Sequence, residues 1–507
     1  MTSNHPLIDL WESFLPRFQS TILPLLHEPD RKILVDDEYV LLNDETYREL
    51  KLSHEILRPH AERFANILST PLRQLNSTFL KDALVASTIL LREAERNVNI
   101  LQYAPEGKRW RSAYSYTAVL VSIAVLAVLV HDESTQHSKL PDVGDLVLKK
   151  VDDWGWQDII YHLDFALIKT SGWPVTPFIH DFLGFMDTKI LPLVDEAHTQ
   201  PIDWSRKDND WCSWITPSEP ILQFPGKQFH APNISQWREV YSQQKPVKLT
   251  GVTDHWPVFD VPPSNGGYKS KWASFQYLLS KTINGRRIVP VEIGRTYADP
   301  DLKQRILTFK YFFSNYFLTA PGQSNAEAEE GVFGYLAQHN LLTQIPSLRD
   351  DICIPEYINY TKSPSSDDED DDEDVLTTIN AWFGPANTIT PLHTDNYHNI
   401  FCQIVGRKYV RLYPPEAREA MFPMGKDERG IDMGNTSSVP VSWVEGEEFR
   451  DTGEDGDLER WEKFRKEKYV EFMVEPGEAV FFPKGWWHYV RSVEASFSVN
   501  FWWGEDS

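Results

Sequence analysis

Hydrophobic and polar positions fall into two textures along the chain. From residue 1 to about 205 the pattern is helical. Leu72, Leu75 and Phe79 recur at helical spacing, and KDALVASTILLREAERNVNIL (81–101) is rich in strong helix formers. Further helical runs are predicted near 112–131, 143–151, 155–168 and 178–197, with no fixed-period repeat. A Pro-, Trp- and polar-rich stretch, 204–233, then reads as a linker wrapped on a surface. Beyond it, short β-branched runs such as PVKLTGV (246–252) and RIVPVEIG (287–294) predict strands, interrupted by a helical patch over 302–318. The last quarter reads as three hairpins: IFCQIV–GRK–YVRLYPP (400–415), KYVEFMV–EPGE–AVFFP (468–483) and HYVRSV–EA–SFSVNFWW (488–503). Hairpins in series with aromatic faces predict a closed or sandwiched antiparallel barrel. The expected division is a helical domain over 1–205, a linker over 206–230 and a β-rich domain over 231–507.

Two segments break the β pattern. Residues 367–374 are eight consecutive acids, which repel and predict a solvated, disordered loop spanning 363–375. A polar insert over 425–466 is rich in Glu, Asp and Gly.

Composition narrows the function classes. The 507 residues carry 74 acids against 50 bases, a net charge of −24, which disfavours direct nucleic-acid binding and suits basic protein partners. The 18 Trp, 27 Phe and 20 Tyr exclude a wholly disordered chain. Three widely spaced cysteines exclude a disulfide framework and predict a reducing compartment. The N-terminus lacks a basic region and an unbroken apolar run, so no secretory signal is expected. Thr117–Val130 is apolar, but its fourteen residues fall short of the roughly 20 that span a bilayer. A buried core helix in a soluble intracellular protein is predicted.

Candidate chemistry begins at His393-Thr394-Asp395. Side chains of a strand alternate, so positions 393 and 395 share a face and can take two adjacent positions on a metal. His488, 95 residues on, would complete a two-histidine, one-carboxylate set with open positions, which suits non-haem Fe(II). The triplet alone is a weak signal. Gly477, Pro483 and His488 sharpen it, because their spacing G-x5-P-x4-H resembles the second motif of cupin barrels.

The stretches 378–415 (TINAWFGPANTITPLHTDNYHNIFCQIVGRKYVRLYPP) and 476–503 (PGEAVFFPKGWWHYVRSVEASFSVNFWW) resemble the Jumonji-C (JmjC) 2-oxoglutarate oxygenases. Segments 246–259, 289–297 and 334–346 extend the resemblance across the C-terminal half; GKRWRSAYSYTAVL (107–120) extends it more weakly into the helical half. The fold expected is α+β: an all-α N-terminal domain followed by a JmjC cupin-type double-stranded β-helix, or jelly roll. The resemblance implies Fe(II) held by His393, Asp395 and His488, with 2-oxoglutarate as co-substrate and O2 as oxidant. It implies that Lys408 pairs with the distal carboxylate of 2-oxoglutarate, that Tyr335 and Thr390 donate hydroxyl hydrogen bonds to it, and that Asn399 also contacts the co-substrate. Related proteins usually have Ser where Thr390 stands. Trp382, Glu292 and Gln338 are implied walls of the substrate cleft. His398 has the wrong strand parity for a ligand, and Trp486 and Trp487 are expected to pack around the metal strand.

Three functions follow as expectations. One is hydroxylation of a protein side chain, foremost arginine, with succinate and CO2 as co-products. Another is histone lysine demethylation through N-methyl hydroxylation. The last is a catalytically silent binding protein, which would require loss of an iron or co-substrate residue. A basic protein or peptide partner, no membrane, and a nuclear or cytoplasmic location complete the expectations.

Overall fold

The computed structural model of the chain describes residues 6–26, 32–35, 38–41, 55–58, 64, 66–100, 107–135, 155–192, 220–259, 268–294, 303–317, 333–361, 377–426, 430, 432–445 and 457–504. The backbone divides into two compact units, residues 1–202 with 286–288, and residues 203–285 with 289–507. The acidic run 367–374, the expected helix 143–151 and most of the predicted linker lie outside the described residues.

The first unit is built on helices Pro6–Leu26, Ser77–Ile100, Gly107–Thr135, Trp156–Thr170 and Thr176–Phe185. Gly107–Asp132 is the one stretch, among the described residues, long and apolar enough to cross a membrane, and 89% of its apolar window is buried inside the unit. That is the burial of a core helix. Two of its buried hydroxyls bond back within the helix: Thr117 Oγ1 donates to Ala113 O (2.6 Å) and Ser122 Oγ to Ala118 O (2.8 Å). Two departures from the all-helical expectation occur. Strands β1 (Lys32–Val35) and β2 (Glu38–Leu41) pair antiparallel, as suits the β-branched and aromatic residues flanking Asp36-Asp37. Leu72, Leu75 and Phe79 do not share a helix. Leu72–Gln74 is an isolated 3-10 turn, and Asn76 Oδ1 accepts from Thr78 N (2.7 Å) to start the next helix.

The second unit is a sandwich of two antiparallel sheets with peripheral additions. Its strands are β3 (Gln228–His230), β4 (Val247–Thr250), β5 (Ile288–Gly294), β6 (Lys303–Thr308), β7 (Phe333–His339), β8 (Thr378–Gly384), β9 (Ile389–His393), β10 (His398–Val405), β11 (Lys408–Tyr413), β12 (Val470–Val474), β13 (Ala479–Phe482), β14 (Trp487–Ser492) and β15 (Ser496–Trp503). The larger sheet runs β3-β4-β13-β10-β15-β8-β7-β5-β6, and the smaller β12-β11-β14-β9. Only the β3–β4 pair is parallel among the registered pairs. This is the expected jelly roll.

None of the three predicted hairpins pairs with itself. β10, β13 and β15 lie in the larger sheet, while their chain neighbours β11, β12 and β14 lie in the smaller. Both edges of β10 are taken by β13 and β15, and both edges of β11 by β12 and β14, so neither has an edge free for the other. The chain crosses the sandwich at Gly406, whose φ of +68° lies in the left-handed region. A Cβ there would stand 2.1 Å from the backbone oxygen of Ala495, so no other residue fits. Gly477, the motif glycine, likewise has φ +85°.

The patch 302–318 is not all helix. Lys303–Thr308 is strand β6, and the helix Phe309–Tyr316 begins only where Thr308 Oγ1 accepts from Tyr311 N (3.2 Å). That helix lays Phe309, Phe312 and Phe313 against Phe383 of β8. Phe383 also stacks on Phe317 and Phe497, each with ring centroids 4.6 Å apart. The polar insert folds in part: Trp443, Val444 and Phe464 join the core beside the smaller sheet.

Phe383 is fully buried among five aromatic rings. Phe383→Ala is expected to destabilise the second unit by about 3–5 kcal/mol, read from urea unfolding followed by tryptophan fluorescence. A loss under about 1 kcal/mol would show that this cluster does not hold the sandwich together.

Candidate active site

The site grows from one register. In the smaller sheet β14 lies between β11 and β9, and His488 is the direct cross-strand partner of His393. The two imidazole centroids are 4.1 Å apart. Asp395 follows two residues beyond His393, and Gly485 N donates to its carbonyl (3.0 Å), tying this turn to the Pro483–Trp486 loop. The Asp395 carboxylate thereby stands 4.0 Å from His393 Nε2 and 3.5 Å from His488 Nε2. One donor atom from each of the three lies within 4.8 Å of the others.

The imidazoles are oriented from behind. The Nδ1–H of His393 donates to Pro391 O (2.7 Å) and that of His488 to Trp486 O (3.0 Å). Each Nε2 is left on the side of the carboxylate, the nitrogen a metal would take. Burial pushes the His488 imidazole down to about 4, reinforced by its neighbour His393 against the opposing pull of Asp395, so it stays neutral at pH 7. Two imidazole nitrogens and a carboxylate fit Fe(II) by donor type.

A β-bulge sets the second feature. Between the pairs His488↔His393 and Val490↔Thr390 the β9 side carries one extra residue, at Pro391-Leu392. Proline cannot donate to the ladder, and a bulge is where a strand tolerates it. The extra residue reverses the parity, so Thr390 and His393 both line the cleft despite odd spacing. The far edge of β9 is covered by the insert: Thr394 N donates to Asn435 O (2.8 Å) and Ser437 N to Leu392 O (2.9 Å).

Lys408 opens β11 and is 1% exposed. Its Nζ donates to the Tyr335 hydroxyl (3.1 Å) and lies 5.4 Å from the ring centres of both Tyr335 and Phe401. Among the described residues no acid pairs with it. Burial pushes its ammonium down to about 7. Tyr335, also buried, is held well above its ordinary value by desolvation, despite a hydrogen bond with Thr390. A buried ammonium that meets one phenol hydroxyl and two aromatic rings, with no carboxylate among the described residues, can take one as its partner.

The cleft thus gathers His393, Asp395, His488, Tyr335, Thr390, Asn399, Lys408 and Trp382. Glu292 is not on its wall. It opposes Tyr335 in the β5–β7 pair, and its charge acts on that phenol from there. Gln338 is exposed, thrown out at φ +47° where the β7–β8 register slips. His398 faces away from the cleft, packed against Tyr241, Phe481 and Trp503. Trp487 is buried beneath the smaller sheet, and Trp486 Nε1 donates to Gln244 O (3.0 Å). Residues not foreseen from sequence are Asn500, Trp502, Phe401, Phe482 and Val490. Asn500 had a signal, because it is the lone amide in a strand otherwise of Ser and large apolar residues.

Comparison with known proteins agrees with this geometry. A Cupin-like domain matches residues 233–507. The Danio rerio protein "Lysine-specific demethylase 8" is 32% identical over 422 residues, which is 82% of this chain and 86% of that protein. The chain belongs to the cupin-like JmjC family of Fe(II)- and 2-oxoglutarate-dependent oxygenases. Within that family, the Xenopus tropicalis "Lysine-specific demethylase 8" is 39% identical over 277 residues, covering 54% of this chain and 52% of the relative. The Drosophila melanogaster "Jumonji C domain-containing protein 5" is 32% identical over 277 residues, 54% of this chain and 59% of the relative. The matches to the frog and fly JmjC proteins therefore span little more than half of each.

With its pKa pushed down to about 7, Lys408 would make binding of a co-substrate carboxylate at Nζ pH-dependent. A carboxylate at Nζ favours the ammonium and raises its pKa, so binding takes up a proton above pH 7. Affinity for 2-oxoglutarate should be level below about pH 6 and fall above about pH 7, approaching tenfold per unit. Calorimetry on the Mn(II)-loaded chain would read this, and Lys408→Met should flatten the profile as well as weaken binding. A wild-type affinity that is constant from about pH 6 to 9 would remove Lys408 from the co-substrate site.

Proposed function

We propose that the chain hydroxylates a protein side chain, with arginine as the target, and releases succinate and CO2 from 2-oxoglutarate. The observation that carries this reading is the pairing of a two-histidine, one-carboxylate donor set with a buried, acid-free cation, Lys408, in the same cleft. Such a cleft has a place for a divalent metal and for the far carboxylate of a dicarboxylic co-substrate.

Each residue has a role in this reading. His393, Asp395 and His488 would hold Fe(II), which when bound supplies the oxidising capacity drawn from O2 and 2-oxoglutarate. Lys408, Tyr335 and Thr390 would bind the distal carboxylate and orient the co-substrate. Asn399 would offer its amide to the same molecule. The apolar side chains Phe401, Phe482 and Val490 exclude water around it.

Arginine is favoured over other side chains by the walls. Trp382 and Trp502 both line the cleft, and Trp502 is backed by Tyr397, nearly parallel at 3° with ring centres 5.2 Å apart. A planar guanidinium stacks on such faces. The net charge of −24 suits a basic partner.

Lysine demethylation is the second reading, favoured by the printed names of the frog and zebrafish relatives. It uses the same cleft and co-substrate: hydroxylation of an N-methyl group leaves an adduct that releases formaldehyde. A silent binding protein is disfavoured, since His393, Asp395, His488 and Lys408 are all present and assembled.

The two readings separate by mass. Arginine-containing and methyl-lysine peptides are incubated with the chain, Fe(II), 2-oxoglutarate and O2, with His393→Ala as the blank. Gain of one oxygen on arginine is expected. Loss of a methyl group with formaldehyde release would replace hydroxylation by demethylation.

A further inference from the structure

Asn500 lines the cleft and has no role in the reading above. It is 1% exposed and lies on β15, opposite Phe401 of β10 and Asn380 of β8. Its side chain joins two cleft residues. Trp382 Nε1 donates to Asn500 Oδ1 (2.7 Å), and Asn500 Nδ2 donates to Asn399 Oδ1 (3.2 Å).

The order of donors is forced. An amide can be turned end for end with little change of shape, but an indole N–H only donates. The atom of Asn500 facing Trp382 must therefore be its oxygen, which leaves its NH2 group facing Asn399. Asn399 must then answer with its own oxygen. The NH2 group of Asn399 is left over, on a side chain that lines the cleft beside the His–Asp–His set, and it has no hydrogen-bond partner among the described residues. A single tryptophan N–H thus sets the orientation of two successive amides.

We propose that Asn500 is a positioning residue: by accepting from Trp382 and donating to Asn399, it fixes the Asn399 NH2 group as a donor toward an oxygen of 2-oxoglutarate. This rests on the oxygenase reading above and extends it to a residue that does not itself meet the co-substrate. The relay also couples the cleft's substrate wall to its co-substrate contact. A shift of the Trp382 indole would release the oxygen of Asn500, and with it the orientation of Asn399.

Asn500→Asp tests the relay with almost no change of shape. The carboxylate still accepts from Trp382 but cannot donate to Asn399, whose amide then turns its NH2 group toward the new acceptor and away from the co-substrate. The measurement is 2-oxoglutarate affinity by calorimetry on Mn(II)-loaded, anaerobic chain, with Mn(II) affinity measured in parallel. Expected is a loss of about 10-fold or more in 2-oxoglutarate affinity with Mn(II) affinity within about twofold of wild type. On an Asn399→Ala background the same substitution should add little, because the group it acts through is gone. An unchanged 2-oxoglutarate affinity in Asn500→Asp would overturn the proposal. So would an undiminished further loss on the Asn399→Ala background, which would mean that Asn500 acts by packing or charge alone. Parallel loss of Mn(II) affinity would overturn it too, by showing a general collapse of the cleft. Failure of the wild-type Mn(II)-loaded chain to bind 2-oxoglutarate is a separate result: it would sink the oxygenase reading and this proposal with it.

Discussion

The placement of His488 directly opposite His393 across two neighbouring strands is the constraint on which the rest of the site depends. Strand pairing brings side chains on one face to within a few ångströms, so a single register unites ligands 95 residues apart. A slip by one residue would turn either imidazole to the opposite face. The sandwich supplies what prevents the slip. β14 is clamped between β11 and β9, the Asp395 turn is tied to Gly485, and residues 435–437 close the open edge of β9.

Two irregularities in this scaffold serve the chemistry. The bulge at Pro391 lets Thr390 and His393 face one cleft, and it offers the carbonyl that orients the His393 ring. Burial of Lys408 is the second. Taking an ammonium out of water without an acidic partner is costly, and that cost is recovered when an anionic ligand arrives. The stability given up at Lys408 thus favours binding a carboxylate there.

Much of the site was legible because its signals are local. The period of two paired His393 with Asp395, and the Gly477, Pro483, His488 spacing marked the second ligand-bearing strand. Helix composition likewise announced the Gly107–Thr135 core helix, whose surroundings decide its burial. Strand partners were not legible. β10 and β11 are joined by two residues and look like a hairpin, yet each is saturated by strands far away in sequence, which no local pattern reports. Glu292 and Gln338 were expected in the cleft wall; Gln338 is exposed where the β7–β8 register slips, and Glu292 stands beside Tyr335 in the β5–β7 pair. Asn500 carried a visible mark, an amide among aromatic residues, but its meaning depends on Trp382 and Asn399, more than a hundred residues upstream.

The proposed chemistry requires His393, Asp395 and His488 to hold one metal ion through two Nε2 atoms and a carboxylate. X-ray absorption of the anaerobic Fe(II)-loaded chain measures that ligand set directly. Two imidazoles among otherwise oxygen ligands are predicted, falling to one imidazole in His488→Ala. A sulfur ligand, or an imidazole count that His488→Ala leaves unchanged, would contradict it.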